Sequence, residues 1–295
     1  MYYTRTCRGY STTLFPKCPA LIFKMGRSAG GTRSLRRRWC TLHLTPLALV
    51  PLVWYNGYSI WIGGDSMERA PQQILVQLYA LQDLDYRAFH LRLIPTVSPQ
   101  RVLGVRIPAL RAMARQLAGS READVFLSCL PHRYYEEDNL HVLLLERERD
   151  FSAALMGVEA FLPCIDNWAT CDLPSPRIFA RHKEELLPYV RRWMASDQTY
   201  TVRYGLGQLQ RYYLEEAFSP EMLAWAADIC SQEYYVRMMQ AWYFATALAK
   251  QPQATLPWLE QPGRMEEWTR QKAIQKSRES RRISPELKAR LQGCS

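Results

Sequence analysis

The sequence predicts an all-α fold, an α-solenoid built from degenerate antiparallel helix pairs. Apolar residues recur at helical spacing through most of the chain after Met67. Short segments rich in Pro separate these stretches, and none of them alternates apolar and polar residues long enough to predict a strand. Stretches of about 10–18 residues with tight links favour antiparallel helix pairs, and stacked pairs form a solenoid with a concave binding surface.

Each predicted helix is defined by its apolar period. The second stretch has Pro108 in its first turn, where the missing N–H costs little. The patterned stretches, in chain order, are Ile74 to Leu81, Ile107 to Leu117, Leu140 to Leu144, Phe151 to Leu162, Leu186 to Met194, Val202 to Tyr213, Met222 to Ile229 and Val236 to Leu248. The segments that separate them contain Ser98-Pro99, Pro131, Pro174, Pro176, Ser219-Pro220, Gln251-Pro252 and Pro262-Gly263.

Much of the positive charge lies before the first predicted helix. Residues 1–66 hold nine basic residues and one acidic residue, Asp65, so they carry +8 of the formal net charge of +10. This segment shows no sustained helical or strand period, and we expect an irregular basic leader. Its apolar run, residues 42–62, is interrupted by Pro and Gly, which disfavours a spanning helix. A membrane anchor and a targeting peptide remain alternatives. We expect residues 1–66 to be upstream translated sequence and Met67 to be the functional start.

A second basic segment lies at the carboxyl end. Residues 264–290 contain nine basic and four acidic residues. A solvated helix face is the simplest explanation of such a run. The functional alternative is contact with a phosphate backbone, where Lys and Arg displace condensed counterions. We therefore expect residues 67–295 to form one helical domain with a basic helical tail.

The cysteines and histidines predict no metal site and no cofactor. The body has five scattered cysteines without a CxxC pair, and its histidines are isolated, with no HExxH motif. Unpaired thiols of this kind are typical of a reduced, cytoplasmic protein.

The segment Ile165 to Asp172 is the strongest candidate for chemistry. If it is helical, Trp168 and Asp172 are four residues apart and share a face. A ring face attracts positive charge, and a carboxylate beside it supplies the counter-charge. Such a pair could stabilise an electron-poor, cationic sugar at a glycosidic bond or orient a water. The alternative is that Trp168 packs in the core while Asp172 caps a helix near Pro174.

Two other segments carry residues of the same chemical types. Arg203 lies near the start of one predicted helix and could bind a phosphate. Trp242 lies in another and could either line a groove or fill the core.

Five segments together make the sequence resemble the DNA alkylation repair family, the AlkD-like HEAT-repeat DNA glycosylases. The resemblance covers Met67 to Leu291 and none of residues 1–66. The segments that carry it are Asn167 to Asp172, Val202-Arg203, Val236 to Leu248, Val102 to Pro108 and Ser280 to Ser284.

The resemblance implies a HEAT-like solenoid that grips duplex DNA in its concave face. Family members excise N3- and N7-alkylated purines without flipping the base into a pocket. The resemblance implies that Asp172 is the catalytic residue, which stabilises the oxocarbenium-like sugar and positions the attacking water. It places the two groove tryptophans on Trp168 and Trp242 and the phosphate-binding arginine on Arg203.

We also expect Arg237, Arg281 and Arg282, which lie in the resembling segments, to contact DNA. The expected partner is double-stranded DNA with alkylated purines, bound by a monomer that does not enter a membrane. An alternative is a non-catalytic helical-repeat module that binds DNA structures or a protein partner.

Overall fold

The computed structural model describes residues 52–55, 58–61 and 66–294, with side chains from residue 70 onward. Two short strands come first, followed by fourteen α-helices within these ranges. The strands are β1 (Leu52–Tyr55) and β2 (Tyr58–Trp61). The helices are α1 (Ser66–Ala80), α2 (Leu84–His90), α3 (Ile107–Leu117), α4 (Arg121–Ser128), α5 (Tyr135–Leu145), α6 (Phe151–Phe161), α7 (Trp168–Cys171), α8 (Lys183–Met194), α9 (Thr199–Tyr212), α10 (Glu221–Ala227), α11 (Tyr234–Lys250), α12 (Pro252–Glu260), α13 (Glu267–Glu279) and α14 (Pro285–Arg290).

The predicted all-α class is confirmed for the helical region. Alternate helices form a continuous row, because α3 contacts α5, α5 contacts α7, α7 contacts α9, α9 contacts α11, and α11 contacts α13. Helices α4, α8, α10 and α12 pack against neighbours in this row. Such sequential packing, in which each helix meets only its near neighbours in the chain, is typical of a solenoid. It places α7, α9, α11 and α13 side by side.

The helices bury the apolar positions that the sequence predicts. In α9, Val202, Leu206 and Leu209 are buried, as is Tyr213 just beyond its end. The largest core cluster runs from Leu145 to Leu291, and a smaller one joins α1, α3, α4 and α5. Leu81 is an exception: α1 ends one residue before it, and its side chain is exposed.

A third, small cluster lies beside α7. Ile94, Val97, Val102 and Tyr135 are buried together, and Trp168 packs against them. The first residue of α7 is therefore tied to the segment that follows α2.

The leader falls largely outside the described residues. Within it, the structure differs from the irregular arrangement that the sequence predicts, because β1 and β2 pair antiparallel with Leu52 opposite Trp61 and Tyr55 opposite Tyr58. Aromatic and β-branched residues favour strands. The dipeptide between the strands, Asn56-Gly57, is a strong hairpin signal. Helix α1 begins at Ser66, one residue before Met67.

Helices α8 and α9 approach closely because Gly205 has no side chain. A Cβ at this position would lie 2.9 Å from the backbone N of Met194 and 3.1 Å from Cβ of Trp193. The glycine thus sets the distance of α9 from the helix behind it.

Among the helices that the structure describes, none combines the length and the apolar character needed to cross a bilayer.

Candidate functional site

Helix α7 is a single turn whose position depends on its capping residue. Asn167 Oδ1 accepts a hydrogen bond from the Thr170 backbone N–H at 2.8 Å, and its Nδ2 donates to Thr170 Oγ1 at 3.1 Å. Thr170 Oγ1 in turn donates to Asn139 Oδ1 of α5 at 2.8 Å. A four-residue helix is unstable in isolation. These contacts therefore determine where α7 and its two candidate site residues lie.

An ionic network extends from the same cap into the protein. Asn167 Nδ2 also donates to Asp166 Oδ1 at 3.0 Å. Arg101 bridges the Asp166 carboxylate and Asp138 of α5, the latter at 2.8 Å. Asp138 is buried, and its burial raises the pKa of its carboxyl to about 8 against the opposing effect of Arg101. The network fixes the segment before α7 to α5.

Asp172 ends α7 and points its carboxylate into open space. Its backbone N–H donates to the Trp168 carbonyl at 3.0 Å, and its side chain is 38% exposed. Arg203 holds both carboxylate oxygens, with Nε 2.8 Å from Oδ1 and Nη2 2.6 Å from Oδ2. A planar guanidinium in this two-point contact fixes both the position and the plane of the carboxylate.

Arg203 itself is buried in α9. Its side chain is only 6% exposed, and its Nη1 donates to the Tyr235 carbonyl at 2.7 Å. Burial alone would lower the pKa of the guanidinium, but the hydrogen bonds and charge of Asp172 outweigh it and raise that pKa. This arrangement differs from the phosphate contact that the resemblance implies, because most of the donors of Arg203 are directed at protein oxygens.

Trp168, the first residue of α7, is half-buried. Its Nε1 donates to the Leu93 carbonyl at 2.9 Å, and its ring packs against the small cluster around Val97. It lies one turn before Asp172 but does not line the cleft described next.

A cleft of about 470 Å³ lies over the Asp172–Arg203 pair, between α9 and α11. Trp242 of α11 forms part of its wall and is 45% exposed, so it is not a core residue. The ammonium of Lys276 in α13 lies 5.2 Å from the centre of the Trp242 ring. The ring therefore already contacts a cation, as an electron-rich aromatic face favours.

Basic residues line the same cleft. Arg282, which follows α13, is exposed and forms no ion pair among the described residues. Arg211 of α9 is exposed and donates to Ser175 Oγ, whereas Lys250 of α11 pairs with Glu215 at 2.8 Å. Arg211 and Lys250 are not among the site residues predicted from the sequence. Helical spacing could have found Arg211, which lies two turns after Arg203 on the same face.

Two of the expected DNA contacts lie outside the cleft lining. Arg237 pairs with Glu266 at 2.7 Å and lies over the Trp268 ring at 4.4 Å. Glu266 also caps α13, since it accepts from the backbone N–H groups of Trp268 and Thr269. Arg281 is exposed next to Arg282. The structure thus gathers Asp172, Arg203, Trp242 and Arg282 in one cleft and leaves Trp168, Arg237 and Arg281 around it.

Comparison with known families places most of the chain in one family. A family model described as DNA alkylation repair enzyme matches residues 74–277. The match includes Asp172 and the helices α9 and α11 that line most of its cleft, and it ends within α13, before Arg282. No curated protein matches the chain. Since the matched range covers most of the chain, the protein belongs to the family of DNA alkylation repair enzymes.

Proposed function

We propose that the protein is a DNA glycosylase that hydrolyses the N-glycosidic bond of N3- and N7-alkylated purines in duplex DNA, with Asp172 as the catalytic residue. One observation carries this proposal: a carboxylate that is open to a cleft is held at both oxygens by a buried guanidinium. Preorganised charge of this kind stabilises a developing positive charge without rearranging during the reaction.

The chemistry needs few protein groups. Alkylation at N3 or N7 places a positive charge on the purine, which then leaves without a general acid. The sugar becomes electron-poor as the bond breaks. The Asp172 carboxylate would stabilise that sugar and orient the attacking water, and the Trp242 ring face would favour the same charge.

The exposure of these groups supports a reaction without base flipping. Asp172 and Trp242 both lie at the protein surface. A lesion in the duplex could reach them through its sugar, without leaving the base stack. Enzymes that flip a base instead bind it in a closed pocket and contact its edges.

The positive residues of the cleft suit a phosphate backbone. Arg282 and Arg211 have no carboxylate partner among the described residues, so their charges are available to phosphates on either side of the lesion. Arg203, in contrast, is assigned to positioning Asp172. Arg237 is assigned to holding α13 against α11 through Glu266.

Release of 7-methylguanine or 3-methyladenine from alkylated duplex DNA tests the proposal. We expect wild type to release the base and Asp172→Asn to lose at least about a hundredfold in rate, in line with the loss of one preorganised electrostatic group. The exposed Asp197, changed to Asn, is the matched control and should retain full activity.

The same excision assay distinguishes a glycosylase from the alternative function, a non-catalytic binding module. The net charge of residues 67–263 is close to neutral, with 20 basic and 23 acidic residues, which favours a module that binds a protein or a DNA structure without catalysis. If wild type and Asp172→Asn release equally little base, the glycosylase proposal fails and this alternative stands.

A further inference from the structure

Helix α9 contains a glycine whose absence of a side chain has no explanation within the protein. Gly205 is required for packing, because a Cβ there would collide with the backbone of α8. Gly207, two residues later, is different. A Cβ at this position would meet only Cε of Met239, at 3.7 Å, which is ordinary van der Waals contact.

The backbone conformation does not require this glycine either. Gly207 lies well inside α9 and is not among the glycines with positive φ. Glycine in a helix interior is less stable than alanine, because it loses more backbone freedom on folding. A stabilising methyl group would therefore fit at this position, and the chain lacks it.

The space beside Gly207 belongs to the cleft. Gly207 lines it together with Asp172, and Trp242 lines the facing wall. Arg203, which is buried against Asp172, lies one turn before Gly207, and the exposed Arg211 lies one turn after it, so the bare backbone lies between the Asp172–Arg203 pair and a cation without a carboxylate partner among the described residues. Glycine commonly occurs where a ligand must approach a backbone closely.

We propose that Gly207 is a substrate-contacting residue that sets the depth of the cleft, so that the sugar–phosphate backbone of the bound strand lies directly against α9. This inference rests on the proposed function, since it takes the ligand to be a nucleic acid strand. A side chain at position 207 would lift that strand away from α9 and increase its distance from the Asp172 carboxylate.

A graded series at position 207 tests this role. Gly207→Ala should raise the melting temperature by about 1–4 °C, because alanine favours the helix. The single-turnover rate of alkylpurine release should nevertheless fall by about tenfold, and Gly207→Leu should reduce it to the level of Asp172→Asn. A structural role would move stability and activity in the same direction. Gly205→Ala is the matched control, and it should lower the melting temperature because of its collision with α8.

Binding measurements keep this test separate from that of the proposed function. Fluorescence anisotropy with an alkylated duplex should show at least about tenfold weaker binding for Gly207→Leu than for wild type. If wild type releases no base, the proposed function fails, but this loss of binding would still support contact at Gly207. If Gly207→Leu excises the base and binds the duplex as well as wild type does, the inference is overturned.

Discussion

The buried guanidinium of Arg203 holds both carboxylate oxygens of Asp172, at 2.8 and 2.6 Å, across the junction of α7 and α9. The carboxylate is exposed to the cleft, whereas the cation that orients it is not. Asp172 is therefore accessible to a ligand in the cleft, while Arg203 fixes the position of its carboxylate from inside the protein.

Arg203→Lys separates the position of Asp172 from its charge. Lysine retains the positive charge but cannot make the two-point contact. We expect the excision rate at saturating DNA to fall by about 10–100-fold, while DNA affinity and its salt dependence stay near those of wild type. Single-turnover kinetics together with binding at several salt concentrations would check this. An unchanged excision rate would show that the two-point contact with Asp172 is not needed.

Arg282→Gln should weaken DNA binding and leave the excision rate unchanged, which is the reverse of the result expected for Arg203→Lys. Arg282 is exposed in the cleft and has no acidic partner among the described residues. If it neutralises one phosphate, its removal should lower the slope of log K against log salt by about one unit. The rate at saturating DNA should be nearly unchanged. An unchanged slope would place Arg282 outside the DNA contact.

The helical pattern predicts the fold well because apolar spacing alone determines which face of each helix is buried. It predicts the buried leucines of α5 but gives no sign of the polar residues in the first turn of that helix, Glu136, Glu137 and Asp138. All three are buried in the structure. Glu136 accepts from the backbone N–H groups of Leu103 and Gly104 at 2.8 and 2.7 Å, and these partners are more than thirty residues away. Spacing within one segment cannot predict such long-range hydrogen bonds.

The candidate site also depends on long-range contacts that spacing within one segment cannot predict. The separation of Trp168 and Asp172 predicts a shared helix, and the structure places them at the two ends of α7. It does not predict that Arg203 is buried against Asp172, because that contact joins α7 to α9 through tertiary packing. Nor does it place Arg211 and Lys250 on the cleft, since their approach depends on how α9 and α11 lie side by side.

A buried histidine pair should make the protein sensitive to acid. His132 Nε2 and His141 Nδ1 lie 2.9 Å apart, and Phe126 and Phe161 stack on the two rings. Burial lowers the pKa of His132 to about 4 and, together with His132, that of His141 to about 3. The unfolded chain therefore binds protons below about pH 6.5 that the folded chain does not. Stability should fall by about 1.4 kcal/mol per pH unit for each histidine between pH 6.5 and 4.

Buried carboxyls also respond to acid, so the contribution of the histidines must be isolated by comparison. Burial raises the pKa of Glu136 and of Asp138, and protonation of these carboxyls opposes the effect of the histidines. Urea unfolding at a series of pH values should be measured for wild type and for the double variant His132→Phe, His141→Phe. The difference between the two proteins separates the effect of the histidines from that of the carboxyls. We expect the variant to lose less stability on acidification. If the free energy of unfolding changes with pH equally in both proteins, the histidine pair is not the source of the acid sensitivity.

Arg101→Gln tests whether the network behind α7 positions Asp172. Removing the guanidinium leaves Asp138 buried without its cation and frees Asp166, which contacts the α7 cap. Because burial already raises the pKa of Asp138 to about 8, its carboxyl can stay protonated and neutral, and we expect a loss of about 1–3 kcal/mol in the free energy of unfolding from the lost hydrogen bonds. Adding Asp138→Asn should change the stability little further, because the buried carboxyl is already neutral, and excision should remain at least about tenfold low since Asp166 still lacks its cation. Arg106→Gln, which breaks the exposed pair with Asp83, is the control and should change neither property. Full recovery of excision in the double variant would reduce Arg101 to a purely stabilising role.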